Sequence, residues 1–435
     1  MRTVVVIGDG DLSEETVRAL EASGVQVSHL REPDGEEVRA ALEGERVESV
    51  AVVGRADAVV LRHALTVRSV SDEVPLLLTI FDPTMADQMR DRLGHTYVTS
   101  LADIVAPSLA GPCIDERFTA VGDRDGRTVG LVDEDGEVRE EPLPSIRPRR
   151  PEALARALFT PYDKSAGLLL FGAIGLVAVF LIETITAVFV LDDTVVDAIY
   201  GSAKTLVTVD PNLAVKDGPG WYKVFTSATM VVALVFAAAF TAGLVNRVID
   251  RRLTGLAGRR AVPRRDHVVV IGLGQVGLRL CLTLRACGIP VVAVERDEEH
   301  ENVGLAREYK LPVVVGRGAD RSLMRRLSLS KAKAVAAVTS DDLANISAAM
   351  TARGIHEPVR VVLRVGDGEV ANETRSLLAL GIVRDVHRIA AVLLARMAVG
   401  EDAESVVCLG DDAHVRFPDG RLERAELDTL AGSGG

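Results

Sequence analysis

Two Rossmann-like α/β domains flanking a two-helix transmembrane module, with a short re-entrant helix between the spans, is the fold class that the sequence predicts. Three observations predict it. Two stretches far apart in the chain repeat one strand–turn–helix plan. One of them carries a full GxGxxG turn. Between them lie two apolar runs, each long enough to cross a bilayer. The expected division is 1–150 for a first α/β domain with a short β extension, 151–255 for the membrane module, and 256–435 for a second α/β domain with its own extension.

Composition narrows the function. The 435 residues carry a formal net charge of −12, spread over the soluble parts, which argues against a nucleic-acid partner. The four cysteines, Cys113, Cys281, Cys287 and Cys408, form no CxxC pair, and no histidine cluster has metal-ligand spacing. Reduced, buried thiols in a cytoplasmic compartment are expected. The opening "MRTVVVIGDGD" reads as a strand running into a turn, not as a secretory leader.

The first domain begins with "TVVVIGDGDLS" (3–13), which parallels "HVVVIGLGQVG" (267–277). "SVAVVGRADAVVLRHALTVR" (49–68) parallels "AVAAVTSDDLANISAAMTAR" (334–353), and "VPLLLTIFDP" (74–83) parallels the fifth strand of the second copy. As a ligand site this copy is degraded. Ser13 replaces the third glycine, Asp9 and Asp11 place negative charge where a pyrophosphate would lie, and Leu30 and Arg31 stand where an acid should end the second strand. The third strand is missing. A structural, pairing role is expected of it.

The membrane module has spans at Gly167–Leu191, with Glu183 its one charge, and at Val224–Val245, with none. Arginines cluster at 147–150 and at 246–265, outside the spans. Between the spans stand Asp192, Asp193, Asp197, Asp210 and Asp217 against Lys204, Lys216 and Lys223. The positive-inside rule therefore puts both termini in the cytoplasm of a cell (inner) membrane. Residues 194–206 have helical character, but such a helix reaches only about 20 Å. Non-helical backbone at membrane depth survives only where it is buried or lines a water-filled cavity. The gap 194–214 thus reads as a pore loop. Glu183 is expected to snorkel or to bond the short helix, and Lys204 to face Asp197 or Glu183. Small residues on the second span, Ala233 to Gly243, permit close helix packing, and Gly243 is a candidate bend.

The second domain, "DHVVVIGLGQVGLRLCLTLRACGIPVVAVERDEEH" (266–300), reads as strand, turn, helix, strand, acid. Gly272 permits the tight turn, Gly274 the approach of a pyrophosphate, and Gly277 close packing of helix on strand. The helix start offers free N–H groups to phosphate. Glu295 ends the second strand, where an acid can bind ribose hydroxyls. "LPVVVGRGAD" (311–320), "AKAVAAVTSDDLANISAAMTARG" (332–354) and "VRVVLRVGD" (359–367) continue the pattern, with Ser340 or Asp341 as a helix cap. "VVCLGDDAHVRFPDG" (406–420) suggests a small β element.

The stretches "VVVIGLGQVGLRL", "GRGAD" and "VTSDDLAN" together resemble the RCK (TrkA-N) domains that regulate potassium conductance. The resemblance covers roughly 266–400 well and 1–112 loosely. It implies an NAD(H) or adenine-nucleotide (ADP or ATP) site in the C-terminal RCK domain, RCK–RCK pairing, assembly as a homotetramer, and a bound cation as a further option. It carries contacts over to Gly272, Gly274, Gly277 and Glu295, with Gln275, Val276 and Arg296 beside them, and to Gly316, Asp320, Thr339 and Asp342. "AIYGSAKTLVTVDPN" (198–212) resembles the pore helix and filter of two-span potassium channels. Thr205, Leu206, Thr208 and Val209 match the approach, and Asp210, Pro211 and Asn212 then occupy the Gly-Tyr-Gly positions. This last stretch is loosely similar to the filters of plant Castor/Pollux channels.

A potassium filter stacks backbone carbonyls at the axis, with alternate residues at positive φ. Asp takes that region with strain, and Pro is fixed near −65° without an N–H. Potassium selectivity of the usual kind is therefore not expected. A ring of Asp210 carboxylates is the candidate cation path, suited to hard divalent ions. The expected protein is an RCK-regulated cation channel in lipid, with permeating cations as partners. The alternative is a non-conducting nucleotide sensor serving a separate transporter. An enzyme is not expected, since no substrate domain is evident and His267, His300 and His387 stand at domain edges without partners.

Overall fold

The computed structural model describes residues 2–44, 47–124, 127–134, 137–143, 164–192, 194–207, 215, 218–249, 263, 265–409 and 412–425. Two compact units result, one made of Met1–Arg147 with Pro263–Gly435 and the other of Pro148–Val262.

The first copy runs β1 (Thr3–Ile7), α1 (Asp11–Ala22), β2 (Gln26–Leu30), α2 (Gly35–Gly44), β3 (Val47–Val52), α3 (Asp57–Val70), β4 (Leu76–Thr79), α4 (Pro83–Arg92), β5 (Thr96–Thr99). Its strands form a parallel sheet in the order β2-β1-β3-β4-β5. Both faces of a parallel sheet are covered, so β1 and β4 are apolar at nearly every position, and their residues are buried. α5 (Leu101–Ile114) follows, then an antiparallel three-stranded sheet of β6 (Phe118–Arg124), β7 (Arg127–Glu134) and β8 (Glu137–Pro142).

The membrane unit contains α6 (Lys164–Val190), α7 (Val195–Leu206) and α8 (Gly220–Ile249). Leu168–Val190 and Gly220–Val245, with mean hydropathies of 2.5 and 2.3, are long and apolar enough to cross a membrane. α6 and α8 pack closely because glycines stand at the crossing. A Cβ on Gly243 would lie 2.6 Å from the Leu169 nitrogen, and one on Gly172 would meet Phe236 and Phe240 backbone. α8 continues through Gly243, which is a packing residue and not a bend. Thr194 caps α7, and its hydroxyl meets the Asp197 carboxylate at 2.6 Å. Lys204 lies over the Tyr200 ring, 5.5 Å from its centroid, and among the described residues forms no ion pair with Asp197 or Glu183. Glu183 is buried and accepts a hydrogen bond from Thr229 of α8, so it neither snorkels nor bonds α7. A carboxyl group inside an apolar bundle takes the nearest hydroxyl, and Thr229 on the facing helix supplies it.

The second copy runs β9 (His267–Ile271), α9 (Gln275–Ala286), β10 (Val291–Glu295), α10 (Glu301–Glu308), β11 (Val313–Val315), α11 (Arg321–Arg326), β12 (Ala332–Ala337), α12 (Asp342–Ile355), β13 (Arg360–Val365), α13 (Gly368–Glu373), β14 (Ile382–Asp385) and α14 (Val386–Ala398). Its sheet order is β11-β10-β9-β12-β13-β14, so the first copy lacks the counterpart of the β11 edge. β15 (Ser405–Leu409), β16 (Asp412–Arg416) and β17 (Leu422–Arg424) close the described chain as a second antiparallel sheet.

The two copies exchange helices. α5 of the first packs on α9, β12 and β13 of the second, and α14 of the second packs on α1, β3 and β4 of the first. α5 is apolar on most of its surface, with Asp103 its one charged residue, and almost wholly buried, as a helix held between two bodies must be. Pro112 inside it has no N–H for the Ser108 carbonyl. Arg384 Nε, from β14, donates to that orphaned oxygen at 3.4 Å, and Arg360 donates to Pro112 O at 3.2 Å. Arg279 of α9 pairs with Asp103 of α5 at 2.7 Å. One apolar core runs through both copies, and all four cysteines are buried. Burial pushes the Cys113 thiol up to about 12, so it is unreactive.

His267 is wholly buried; its Nε2–H donates to Leu327 O at 3.0 Å and its Nδ1 has no partner. Burial lowers its pKa in the folded state, and burial followed by Arg55 lowers that of His387. Above the unfolded value of about 6.5 both states are neutral. Below it the unfolded chain binds protons that the fold refuses, at up to about 1.4 kcal/mol per pH unit per histidine. The thermal midpoint is expected to fall from pH 6.5 toward pH 5, and to fall less in His267→Gln. A midpoint independent of pH in that window would contradict this.

Candidate nucleotide site

A cavity of about 690 Å³ opens at the C-terminal ends of β9, β10 and β12, within the 300–1,000 Å³ range of small-molecule sites. Its centre is the turn between β9 and α9. Gly272 adopts φ +94°, a region other residues rarely enter, and a Cβ there would lie 2.7–2.9 Å from Thr339 atoms. A Cβ on Gly277 would overlap the Gly272 carbonyl oxygen, whereas one on Gly274 would meet open space. Gly274 therefore faces the cavity, and Gly277 holds helix against turn. Gly274 caps α9 without a side-chain acceptor, and the first intrahelical bond is Leu278 N–H to Gly274 O. The N–H groups of Gln275 and Val276 are left for a ligand at the positive end of the helix dipole.

Glu295 ends β10 across the turn. One oxygen accepts from Leu273 N–H at 2.7 Å; the other accepts from Arg296 N–H at 2.7 Å and Asp297 N–H at 3.1 Å. A carboxylate has about four lone-pair sites, so one remains for a ribose hydroxyl.

Of the residues the motifs single out, Gly272, Gly274, Gln275, Val276, Glu295, Arg296, Gly316 and Thr339 line the cavity together. Gly277 supports it from behind. Asp320 and Asp342 do not line it. Asp320 caps α11 by accepting from Ser322 N–H at 2.8 Å, which lowers its pKa, and Asp342 accepts from Gly366 N–H at 2.9 Å. Asp341 caps α12 through Ala344 N–H. Thr205 turns its hydroxyl onto Gly201 O within α7. Thr208, Val209, Asp210, Pro211 and Asn212 lie outside the described residues. Among those that are described, no group of three or more His, Cys, Asp or Glu could hold a metal ion.

Sequence reasoning missed Asn345, Arg364 and Arg55. Asn345 is fully buried; its Oδ1 accepts from Thr339 N–H at 2.8 Å, and its Nδ2 donates to Thr339 O and Arg364 O, each at 3.0 Å. It ties the ends of β12 and β13 together under the cavity. It ends the "TSDDLAN" motif, which was the available signal. Arg364 follows the apolar run Val361–Leu363 of β13 and lines the cavity. Arg55 comes from the first copy.

The equivalent turn of the first copy is filled by its own side chains. Ser13 Oγ lies 2.7 Å from Gly10 O and 3.1 Å from Gly8 O, and His29 Nε2 bonds Gly8 O at 3.0 Å. Arg31 pairs with Glu14.

Fold and cavity together define a Rossmann-like α/β domain, duplicated in one chain, in which the glycine turn of the second copy opens onto a cavity. Residues 268–386 match the TrkA-N domain family. The Trk system potassium uptake protein TrkA of Streptomyces coelicolor is 30% identical over 163 residues, covering 38% of this chain and 68% of that protein. Potassium channel protein 1 of Methanocaldococcus jannaschii is 23% identical over 263 residues, covering 56% and 76%. The voltage-gated potassium channel Kch of Escherichia coli is 23% identical over 250 residues, and the chain spans 58% of its length. Among solved structures, the GsuK channel superposes with a TM-score of 0.51 at 15% identity, over 93% of this chain and 66% of that one. The GsuK channel bound to NAD gives 0.50 at 14% identity, over 91% and 63%; both likenesses show the fold. The chain belongs to the TrkA-N (RCK) domain family, as a membrane protein similar to RCK-containing potassium channels.

Proposed function

We propose that this protein is an RCK-regulated cation channel, or channel-like membrane protein, whose second RCK copy binds a nucleotide that biases the membrane helices. The observation that carries this reading is the asymmetry of the copies. One glycine turn opens onto a nucleotide-sized cavity and the other is filled by Ser13 and His29. A phosphate would take the N–H groups of Gln275 and Val276, and a ribose would take Glu295. NAD(H) and adenine nucleotides both fit that chemistry, and the NAD-bound GsuK relative supports it.

In this reading α6 and α8 are the spans of a homotetramer with cytoplasmic termini, and α7 is the pore helix. Asp210, Pro211 and Asn212 replace the filter glycines, so conduction is not potassium-selective. Gating requires that the nucleotide bind open and closed states unequally. No enzymatic role is assigned.

The test is flux of potassium, sodium and calcium through purified protein in liposomes, with and without ADP, ATP or NAD(H). Ligand-dependent cation flux with little preference for potassium over sodium is expected, reduced in Asp210→Asn. Strong potassium selectivity would refute the filter reading. Nucleotide binding with no flux of any ion would favour the sensor, for which the altered filter already speaks.

A further inference from the structure

We infer that Arg55 of the first copy and Arg364 of the second form one anion subsite, which receives the terminal phosphate of a nucleoside di- or triphosphate in preference to a dinucleotide. The inference deepens the proposed nucleotide site and rests on that reading.

Arg55 follows β3 of the first copy, yet both of its ends are held by the second. Its carbonyl accepts from Gln275 Nε2 at 3.1 Å, and its Nη2 lies 2.6 Å from His387 Nε2. His387 Nδ1 donates to Gly366 O at 2.7 Å, which leaves Nε2 as the lone-pair acceptor for the guanidinium. Arg55 also lines the cavity.

Arg364 lines the same cavity and is only 6% exposed. Its Nε has no hydrogen-bond partner, and among the described residues no carboxylate pairs with its guanidinium. Burial, and then repulsion from Arg55, push its pKa down to about 10. The neighbouring acid, Asp342, is engaged by Gly366 N–H. Two guanidinium groups thus share one wall, one of them buried and unpaired. Burying an unpaired charge is costly, and an arginine does not escape by losing its proton. An anion in the cavity relieves the repulsion between the two guanidinium groups.

Ligand chemistry then separates the candidates. A terminal phosphate carries close to two negative charges and presents three acceptor oxygens to paired guanidiniums. The pyrophosphate of a dinucleotide carries one charge per phosphate, and its far end is a neutral or positively charged nicotinamide riboside, which two arginines do not attract. The first copy, with its own turn filled, contributes instead to its neighbour's site.

The test is calorimetric titration of the full-length protein in detergent with ADP, ATP, NAD⁺, NADH and adenosine. ADP and ATP are expected to bind at least about tenfold more tightly than either dinucleotide. Arg55→Gln, at an exposed position, and Arg364→Met should each weaken ADP at least about tenfold and leave adenosine within about twofold. Dinucleotide binding as tight as ADP, or ADP affinity unchanged in Arg55→Gln, would overturn the subsite while leaving the nucleotide site standing. Wild-type protein that binds none of these ligands would overturn both.

Discussion

Gly277→Val is expected to unfold the turn of the second copy, while Gly274→Ala in the same motif is expected to leave the fold intact and remove the ligand. The two glycines face opposite directions. A side chain at 277 overlaps the Gly272 carbonyl oxygen, a backbone atom that no rotamer change can move, with Val338 close behind. Helix and strand must separate, and overpacking of a tight core costs about 1–3 kcal/mol or more. At 274 the new methyl points into open space and φ is −65°, which alanine adopts freely. That methyl occupies the volume through which a phosphate must reach the N–H groups of α9. Thermal unfolding with and without saturating ADP separates the cases. Gly277→Val should show a midpoint several degrees lower and no nucleotide shift. Gly274→Ala should show the wild-type midpoint and no nucleotide shift. Equal midpoints for both variants would contradict the packing role of Gly277.

Asn345→Leu is expected to be among the most damaging single changes in the second copy. Leucine nearly conserves volume, but it strands the buried Arg364 O and the half-buried Thr339 N–H and Thr339 O against an apolar side chain. Each unsatisfied buried group costs about 1–3 kcal/mol, so a loss of about 3 kcal/mol or more is expected. Asn345→Asp should be as harmful, because one oxygen keeps the bond from Thr339 N–H but the other cannot donate, which sets a buried carboxylate against the Thr339 and Arg364 carbonyl oxygens. Both variants should also weaken nucleotide binding, since Thr339 and Arg364 line the cavity. Chemical denaturation is the measurement. An Asp variant as stable as wild type would show that the two donated bonds contribute little.

Much of the site was legible because its chemistry is local. The tight turn, the exposed helix start and the acid closing the second strand are set by residues 272–277 and 295, which adjoin in one strand–helix–strand unit. Asp320 and Asp342 were drawn toward the ligand by family likeness, but each sits where a helix or loop N–H needs an acceptor, and that nearer donor takes the carboxylate. Asn345 carried a signal in its motif without a stated task. Its task is a long-range one, joining β12 to β13, and becomes visible only when both strands are in place.

By itself the sequence determined the features that periodicity and composition carry: the duplication, the two apolar spans, the missing third strand of the first copy, and the Asp-Pro-Asn run at 210–212 between the spans. Each is a statement about neighbours along the chain. The tertiary structure alone decided that α5 and α14 are exchanged between the copies, and that Arg55 stands in the cavity of the second copy against His387. Those contacts join segments more than about 150 residues apart. They are selected by the burial of a mostly apolar helix between two sheets, and no local pattern records which surface will cover it.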